Sequence, residues 1–339
     1  MTATDMTIDV GGPYYEDLHR GQMFTEGPGL TLTEGHQALH QAILGDRLRL
    51  CLDRHLAAEV SGHDEPLAHP GLVCDVAIGQ STLATGRVIG NLFYRGLELR
   101  RWPRIGDTLR TTTEVVALRD NASRPNRHPT GLAALRVLTT DQHDRPVLDY
   151  HRCAMLPMRS EDARPGHRDD LDAISPELDR DHLLDSVDGL DLELYRARVP
   201  GAHADAVQPG LRYVVETGDT VTSAPELVRL SLNVAAAHSD PTATERNQRL
   251  VYGGHTIGLA LQHLTRALPN LVTIAAWRSC DHLGPVFEGD VLHSTVSVEA
   301  KEGGPKAALV EFRILTTATR AGGGETTEVL DWRPIGVLA

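Results

Sequence analysis

The chain has 339 residues, of which 41% are hydrophobic and 23% are charged. This length and composition exclude a fibrous or disordered protein and suit two globular domains. The net charge of −13 argues against nucleic acid or an anionic membrane as a partner, and no run approaches the roughly 18 apolar residues of a membrane-spanning helix.

The N-terminus and the cysteines indicate where the protein works. Residues 1–12 are polar and acidic and lack the basic and apolar segments of a signal peptide. The cysteines are scattered, without a CxxC pair, at Cys51, Cys74, Cys153 and Cys280. We therefore expect free thiols in a cytoplasmic protein.

The first half of the chain opens with a predicted helix over 33–44 and a polar loop over 45–53. A more apolar helix follows, beginning just after His69. Alternating residues rich in β-branched side chains then predict strands over 108–116 and 133–139. The order is therefore helices first and strands second.

The second half repeats this order. A predicted helix over 223–235 leads into a loop over 232–240, and an apolar helix over 254–268 ends at a proline. Strands are predicted over 291–298 and 308–316. Both halves therefore have the same succession of elements.

Individual residues also repeat. The two polar loops align at an offset of 187, the starts of the apolar helices at 186, and a later strand turn at 183. The aligned pairs are Asp46 with Asn233, Cys51 with His238, and His69 with His255. This period is too long for a solenoid and indicates two similar domains fused in tandem.

We expect an N-terminal domain over 13–158, a linker rich in charge, Pro and Gly over 159–190, and a C-terminal domain over 191–339. Early helices followed by a meander of antiparallel strands make the fold class α+β. An apolar helix packed in the concave face of such a sheet would bury both. We therefore expect the halves to share one continuous sheet, with their two central helices side by side.

The two loops contain different halves of a catalytic pair. A carboxylate and an imidazole five residues later can move protons on a small substrate. The first loop keeps the acid, Asp46, but has Cys51 at the imidazole position. We interpret Cys51 as a small buried filler; the alternative is a catalytic role as a nucleophile with a nearby histidine. The second keeps the imidazole, His238, but has Asn233 at the acid position.

These loops resemble the signature of the MaoC-like hydratase family, Gly-Asp-x-Asn-Pro-hydrophobic-His-x-Asp followed by a His-Gly-Met type segment. The matching loop residues are Gly45, Asp46, Leu50 and Asp53 in the first half and His238 and Asp240 in the second. The phrase Val251-Tyr252-Gly253-Gly254-His255 resembles the mesaconyl-CoA hydratase (β-methylmalyl-CoA dehydratase) group within that family. The resemblance covers nearly the whole chain except the linker. It implies a tandem (double) hotdog fold, in which an antiparallel sheet wraps a central helix in each half.

The resemblance also implies an activity. A hydratase or dehydratase of this family adds or removes water across the double bond of an enoyl-CoA thioester, here a branched dicarboxylic acyl-CoA such as mesaconyl-CoA. It implies a small-molecule acyl-CoA as partner and no metal or redox cofactor, and the sequence allows a homo-oligomer. Because neither loop has both catalytic residues, the alternative is a diverged MaoC-like protein that binds a thioester, or performs a biosynthetic tailoring step, without hydratase activity.

Hydration of an enoyl thioester places negative charge on the thioester oxygen, which backbone N–H groups at a helix N-terminus can stabilise. The segments that we expect to bind substrate in this way contain His69 and Gly71 in the first half and Gly254 and His255 in the second. Two arginines beside the first loop, Arg47 and Arg54, can bind a substrate carboxylate or the phosphates of CoA.

We expect the first loop to be the catalytic one, because Asp46 is the only aspartate at the acid position. Its imidazole would then come from elsewhere in the chain, and His36 and His40 are candidates. The competing centre is Asn233 with His238.

Overall fold

One antiparallel sheet dominates the structure, a computed structural model that describes residues 10–125, 127–244, 247–303 and 307–339. Within these residues, twelve strands form the sheet. They are β1 (Met23–Phe24), β2 (Leu30–Thr31), β3 (Gly90–Leu99), β4 (Thr108–Asp120), β5 (Thr130–Thr140), β6 (Pro146–Pro157), β7 (Arg212–Val214), β8 (Asp219–Thr220), β9 (Leu271–His282), β10 (Val291–Gly303), β11 (Ala308–Thr319) and β12 (Thr326–Leu338). The strands predicted in each half are confirmed.

The sheet runs without interruption through both halves. Its strand order is β1-β4-β5-β6-β3-β9-β12-β11-β10-β7, with β2 paired to β4 and β8 paired to β10. Where β3 meets β9, Tyr94 lies opposite Cys280 and Leu97 lies opposite Trp277. Tyr94 corresponds to Trp277, and Leu97 to Cys280, at an offset of 183, so a pseudo-two-fold axis passes through this joint. The prediction of one continuous sheet is confirmed.

The described residues also contain eight α-helices. They are α1 (Glu34–Leu44), α2 (Arg49–Leu52), α3 (Arg54–Ser61), α4 (Pro70–Ser81), α5 (Leu192–Arg198), α6 (Ala224–Leu230), α7 (Ala236–Ser239) and α8 (Gly253–Ala267). The Thr33 side chain caps α1, and Gly45 ends it with a φ of 68°, a left-handed conformation that glycine adopts without strain. The helix predicted over 223–235 ends earlier, because Leu232 takes a φ of 59° that is incompatible with a right-handed helix.

The central helices α4 and α8 lie side by side, as predicted. Nearly every residue of α4 is buried, as expected for a helix enclosed by the sheet on one side and by other helices on the other. Gly254 of α8 lies against the Asp75 carboxylate of α4, in a space too small for a side chain. A single apolar core includes residues of both halves, so the two domains are packed as one body.

The segment predicted as a linker, 159–190, crosses the face of the sheet opposite the helices. Leu171 packs there with Leu132 and Ala134 of β5, which alternate with the helix-facing residues of that strand. Further along, Leu183 packs against Ala276 of β9. The segment is therefore attached to both halves by isolated apolar side chains within an otherwise polar sequence.

Two expectations about cysteines and membranes can be compared with the structure. All four cysteines are buried and unpaired, which confirms the prediction of free thiols. In the described part of the chain, no helix has the length and apolar character needed to cross a membrane.

Candidate active site

The two polar loops have the same local structure, which confirms that they are copies. In the first, the Asp46 Oδ1 atom accepts a hydrogen bond of 2.8 Å from the backbone N–H of Leu48. In the second, the Asn233 Oδ1 atom accepts one of 2.9 Å from the N–H of Ala235. Either a carboxylate or an amide oxygen can accept this bond, so the geometry of the turn is compatible with both Asp and Asn.

Each loop forms a hydrogen bond with a threonine in or next to the central helix of the other half. The N–H of Arg47 donates to the Thr265 hydroxyl at the end of α8, at 3.2 Å. The N–H of Val234 donates to Thr82, just after α4, at 2.9 Å. These two bonds are related by the pseudo-two-fold axis, so each candidate site is built from both halves of the chain.

The first residues of helices α4 and α8 show that one of the sequence alignments must be corrected. His69 is the N-cap of α4 and Tyr252 is the N-cap of α8, at the same offset of 183 that relates the strands. His255 lies one turn inside α8. The pairing of His69 with His255 was therefore wrong by three residues, because the loop before the helix is shorter in the second half.

The first loop is closed by an internal contact between its acid and an imidazole. His69 Nε2 lies 2.6 Å from Asp46 Oδ1, and both side chains are almost fully buried. Burial opposes ionisation of Asp46, but the charge of His69 and its contact bring the pKa of that carboxyl below its usual value. The imidazole that joins Asp46 is thus His69, whereas His40 and His36 bond elsewhere.

Other groups that we expected to act in the first half are also occupied. The N–H of Gly71 donates to His69 Nδ1 at 3.0 Å, which contradicts its predicted role as a free donor for substrate. Burial raises the pKa of the Cys51 thiol well above its usual value, and the thiol faces the Ala68 carbonyl at 3.9 Å. Cys51 is therefore a protonated core residue, which agrees with its interpretation as a filler and contradicts the alternative of a catalytic nucleophile.

A second contact between an imidazole and a carboxylate joins α1 to α4, and burial lowers the pKa of His40. His40 Nε2 donates to Asp75 at 3.2 Å, and the His40 and His69 rings are 4.9 Å apart. His255 is buried beside this pair, and burial lowers its pKa to about 4. The structure thus places two of the predicted substrate-binding residues, Gly254 and His255, in the packed region between the helices.

The second loop faces a cavity of about 260 Å³ between the halves. His238 lines this cavity, and its Nδ1 atom lies 2.9 Å from the Leu250 carbonyl oxygen. Only a protonated nitrogen can donate to a carbonyl, so the lone pair of a neutral ring is on Nε2. Burial lowers the pKa of His238, so the ring is neutral near pH 7. His238 can therefore act as a base.

Several buried polar atoms around this cavity have no hydrogen-bond partner among the described residues. Buried polar groups are nearly always satisfied in native proteins, so these atoms are available to a polar ligand. The atoms are Asn91 Oδ1, Arg152 Nε, Asn233 Nδ2, Tyr252 Oη and His282 Nε2. Of these residues, sequence reasoning found only Asn233 as a site residue.

Arg152 lines the cavity and is the most important residue that was not identified from the sequence. Its side chain is 2% exposed and donates to the Ser81 carbonyl at 3.2 Å and to the Thr85 hydroxyl at 2.6 Å. It forms no ion pair with any described carboxylate. A signal was present in the sequence, because the period of two along β6 places Arg152 on the same inward face as Tyr150 and Ala154.

The N-terminus of α8 also opens into the cavity at Gly253. In the described part of the chain, no side chain caps this helix. A Cβ atom on Gly253 would lie 2.6 Å from His282 Nε2, so only glycine fits. The first N–H groups of α8 and the helix dipole can therefore stabilise negative charge in the cavity.

The equivalent space in the first half is nearly filled. It has about 20 Å³ of open volume, and its lining is apolar except for Asp75. At the offset of 183, its lining residues Ile274, Trp277 and Leu99 correspond to Asn91, Tyr94 and His282 of the larger cavity. The two halves have thus diverged into one open polar cavity and one packed apolar space.

The arginines predicted to bind substrate lie away from the cavity. Arg54 is 60% exposed and contacts Glu34 at 3.4 Å. Arg47 is exposed beside the first loop and is not part of the cavity lining. The structure therefore does not bring either arginine to His238.

A continuous sheet with a central helix in each half, and a polar cavity between the halves, defines a double hotdog protein. The chain belongs to the mesaconyl-CoA hydratase family, whose model matches residues 5–298. This confirms the resemblance found in the loops and the helix starts. The protein is thus a carbon–oxygen lyase of the hydratase or dehydratase type.

Individual relatives agree with this assignment. The chain is 29% identical to the β-methylmalyl-CoA dehydratase of Chloroflexus aurantiacus, over 91% of this chain and 88% of that protein. It is 26% identical to the mesaconyl-CoA hydratase of Cereibacter sphaeroides, over 90% and 89%. A solved structure from Mycobacterium tuberculosis, a conserved hypothetical protein with a double hotdog fold, is 50% identical, with a TM-score of 0.90 over 98% of this chain and all of that one.

Proposed function

We propose that the protein adds water to, or removes it from, a branched dicarboxylic enoyl-CoA thioester such as mesaconyl-CoA, in the cavity that contains His238. The observation that carries this proposal is that the neutral imidazole of His238 and the unpartnered amide of Asn233 line the same cavity. Of the two related spaces in the described structure, this cavity is the one with room for a substrate. The two named relatives act on substrates of this class.

The second loop can bind and activate one water molecule. Asn233 Nδ2 is buried without a partner and can donate a hydrogen bond to the water oxygen. His238 Nε2 has a lone pair and can accept a proton from the same water. As the oxygen bonds to Cβ of the substrate, one O–H bond breaks and its proton moves to Nε2.

The electrons of the carbon–carbon double bond then form an enolate on the thioester. The uncapped N-terminus of α8 at Gly253 provides N–H donors and a positive dipole end for the enolate oxygen. His238 next returns its proton to Cα, which restores the neutral imidazole. Dehydration follows the same steps in reverse. Because one base serves both carbons, the hydrogen and the hydroxyl are added to the same face.

This assignment moves the chemistry from the first loop, which the sequence favoured, to the second. Asp46 already contacts His69, and both are almost fully buried. The space in the first half that corresponds to the His238 cavity has about 20 Å³ of open volume, too little for an acyl group, and neither Asp46 nor His69 lines it. Asp46 lines a separate pocket of about 330 Å³ with Arg47 and Arg49. Asn233 in place of an aspartate is compatible with catalysis, because in this mechanism His238 carries the proton and the amide only orients the water.

The test is hydration of mesaconyl-CoA, followed by the loss of enoyl-thioester absorbance. We expect wild-type turnover and a fall in kcat of roughly 100-fold or more in His238→Gln, the range of general base catalysis. Substitution of the exposed His55 by Gln is the matched control and should leave kcat unchanged. A wild-type protein that binds mesaconyl-CoA without consuming it would contradict the proposal and support a thioester-binding role instead.

A further inference from the structure

We infer that Arg152 binds the distal carboxylate of the substrate and so selects dicarboxylic over monocarboxylic acyl groups. This inference rests on the proposed function and adds to it the residue that determines specificity. No sequence motif indicated this residue, and the arginines that we had expected in this role lie outside the cavity.

The burial of Arg152 without an acidic partner is the first argument. A guanidinium stays protonated at physiological pH, and a buried charge is costly unless it is paired. Arg152 is 2% exposed, and its protein bonds go to the neutral oxygens of Ser81 and Thr85. Its Nε has no partner in the described structure. A carboxylate in the cavity would supply the missing negative charge, in the paired geometry that guanidinium groups favour.

The groups around Arg152 do not neutralise it. Tyr94 lies beside it on the neighbouring strand, and burial raises the pKa of this phenol, so it stays uncharged. The positive charge of Arg152 helps to lower the pKa of His238, after the larger effect of burial. Charged Arg152 and neutral His238 therefore face one cavity, which is positive within a chain of net charge −13.

The position of Arg152 fits the chemistry of the substrate. In mesaconyl-CoA the distal carboxylate is bonded to Cβ, the atom that water attacks. A receptor for that carboxylate must therefore lie close to the base. Arg152 and His238 line the same cavity, and they lie close enough for the charge of Arg152 to affect the pKa of His238. A carboxylate on Arg152 would thus bring Cβ towards the water on His238.

The filled space in the other half lacks this cation. Arg152 pairs with Tyr94 across β6 and β3, and the equivalent pair across β12 and β9 is Pro334 with Trp277. The cation is therefore present in the half that also has the imidazole and the open cavity, and absent from the packed one. This coincidence is expected of a substrate receptor and is not required of a structural arginine.

The experiment compares two substrates in the full-length protein. One is mesaconyl-CoA, and the other is the matched thioester with a methyl group in place of the distal carboxylate. For Arg152→Met we expect the ratio of kcat/KM between the dicarboxylic and the methyl substrate to fall about 100-fold, the effect of removing one partner of a buried charge pair. Arg152→Lys keeps the charge without the paired donors and should lower the ratio about tenfold.

The outcomes separate the inference from the proposed function. An equal loss on both substrates would overturn the inference and identify Arg152 as a structural residue or as a ligand of CoA phosphate. An unchanged ratio in Arg152→Lys and Arg152→Met would overturn it as well. If Arg152→Met does not fold, the ratio measured in Arg152→Lys decides alone. A wild-type protein that hydrates neither substrate would instead reject the proposed function.

Discussion

Replacing Asp46 by Asn tests whether the contact between Asp46 and His69 is structural or catalytic. The change gives the first loop the residue that the second already has at Asn233. The amide oxygen can still accept the hydrogen bond from Leu48, as Asn233 does from Ala235. What disappears is the negative charge 2.6 Å from His69. We therefore expect a loss of stability without a loss of turnover.

The size of the effect follows from burial. Asp46 is 2% exposed, and a hydrogen bond to a buried charged group contributes about 1.5–3 kcal/mol. The asparagine can still bond to a neutral imidazole, so we expect a loss of about 2 kcal/mol in the free energy of unfolding. An unfolding entropy of about 0.7 kcal/mol/K for a chain of this length makes this a fall in Tm of about 3 °C.

The stability difference should also depend on pH. The pKa of Asp46 is lowered in the folded protein, so its stabilising effect is complete above the unfolded pKa of about 4. The effect is lost as the pH falls through the depressed pKa of the folded state. The difference in Tm between wild type and Asp46→Asn should therefore be constant near neutral pH and shrink in acid.

Calorimetry and the hydration assay together decide the question. Asp46→Asn should melt a few degrees below wild type, and its kcat should stay within about threefold of the wild-type value, less than a general acid or base contributes. A 100-fold loss of kcat with an unchanged Tm would refute this reasoning. The first loop would then be the catalytic centre, and the cavity lined by His238 would need another explanation.

Two further predictions concern the cavity. Gly253→Ala places a methyl group 2.6 Å from His282 Nε2 at the start of α8. We expect kcat to fall at least tenfold, the order of losing an oxyanion donor, with near-native circular dichroism; an unchanged kcat would exclude enolate binding there. The second concerns pH. Because burial lowers the pKa of His238, kcat/KM should be flat near pH 7 and fall only below the ordinary histidine range of about 6.5. A decline that begins above pH 7 would mean that another group is the base.

The duplicated fold could be predicted from the sequence because its signals are local and repeated. Helical and strand periods recur in the same order in both halves, and the matching loop residues fix their alignment. The continuous sheet followed from the burial that each apolar helix requires. The sequence analysis did not predict the strands β3, β6, β9 and β12, or the end of α6 at Leu230.

The choice of the second loop as the proposed catalytic loop could not be predicted, because it depends on which of the two related spaces is filled by side chains. Asp46 is the better acid in sequence, yet its partner His69 lies 23 residues away, and only the fold shows their contact. Arg152 stands among apolar residues of a strand. Its orientation towards the cavity depends on register across three strands, which one sequence does not reveal.

Fusion of the two halves explains how such different spaces can coexist. Each loop is fastened to a threonine of the opposite half, Thr82 or Thr265, so neither half completes a site alone. In a dimer of identical chains, every substitution would appear at both sites at once. In a single fused chain, one site can keep its water-binding residues while the other exchanges them for tryptophan and leucine that strengthen the core. In the proposed mechanism the packed half supports the half that contains the cavity, and one polypeptide has one active site.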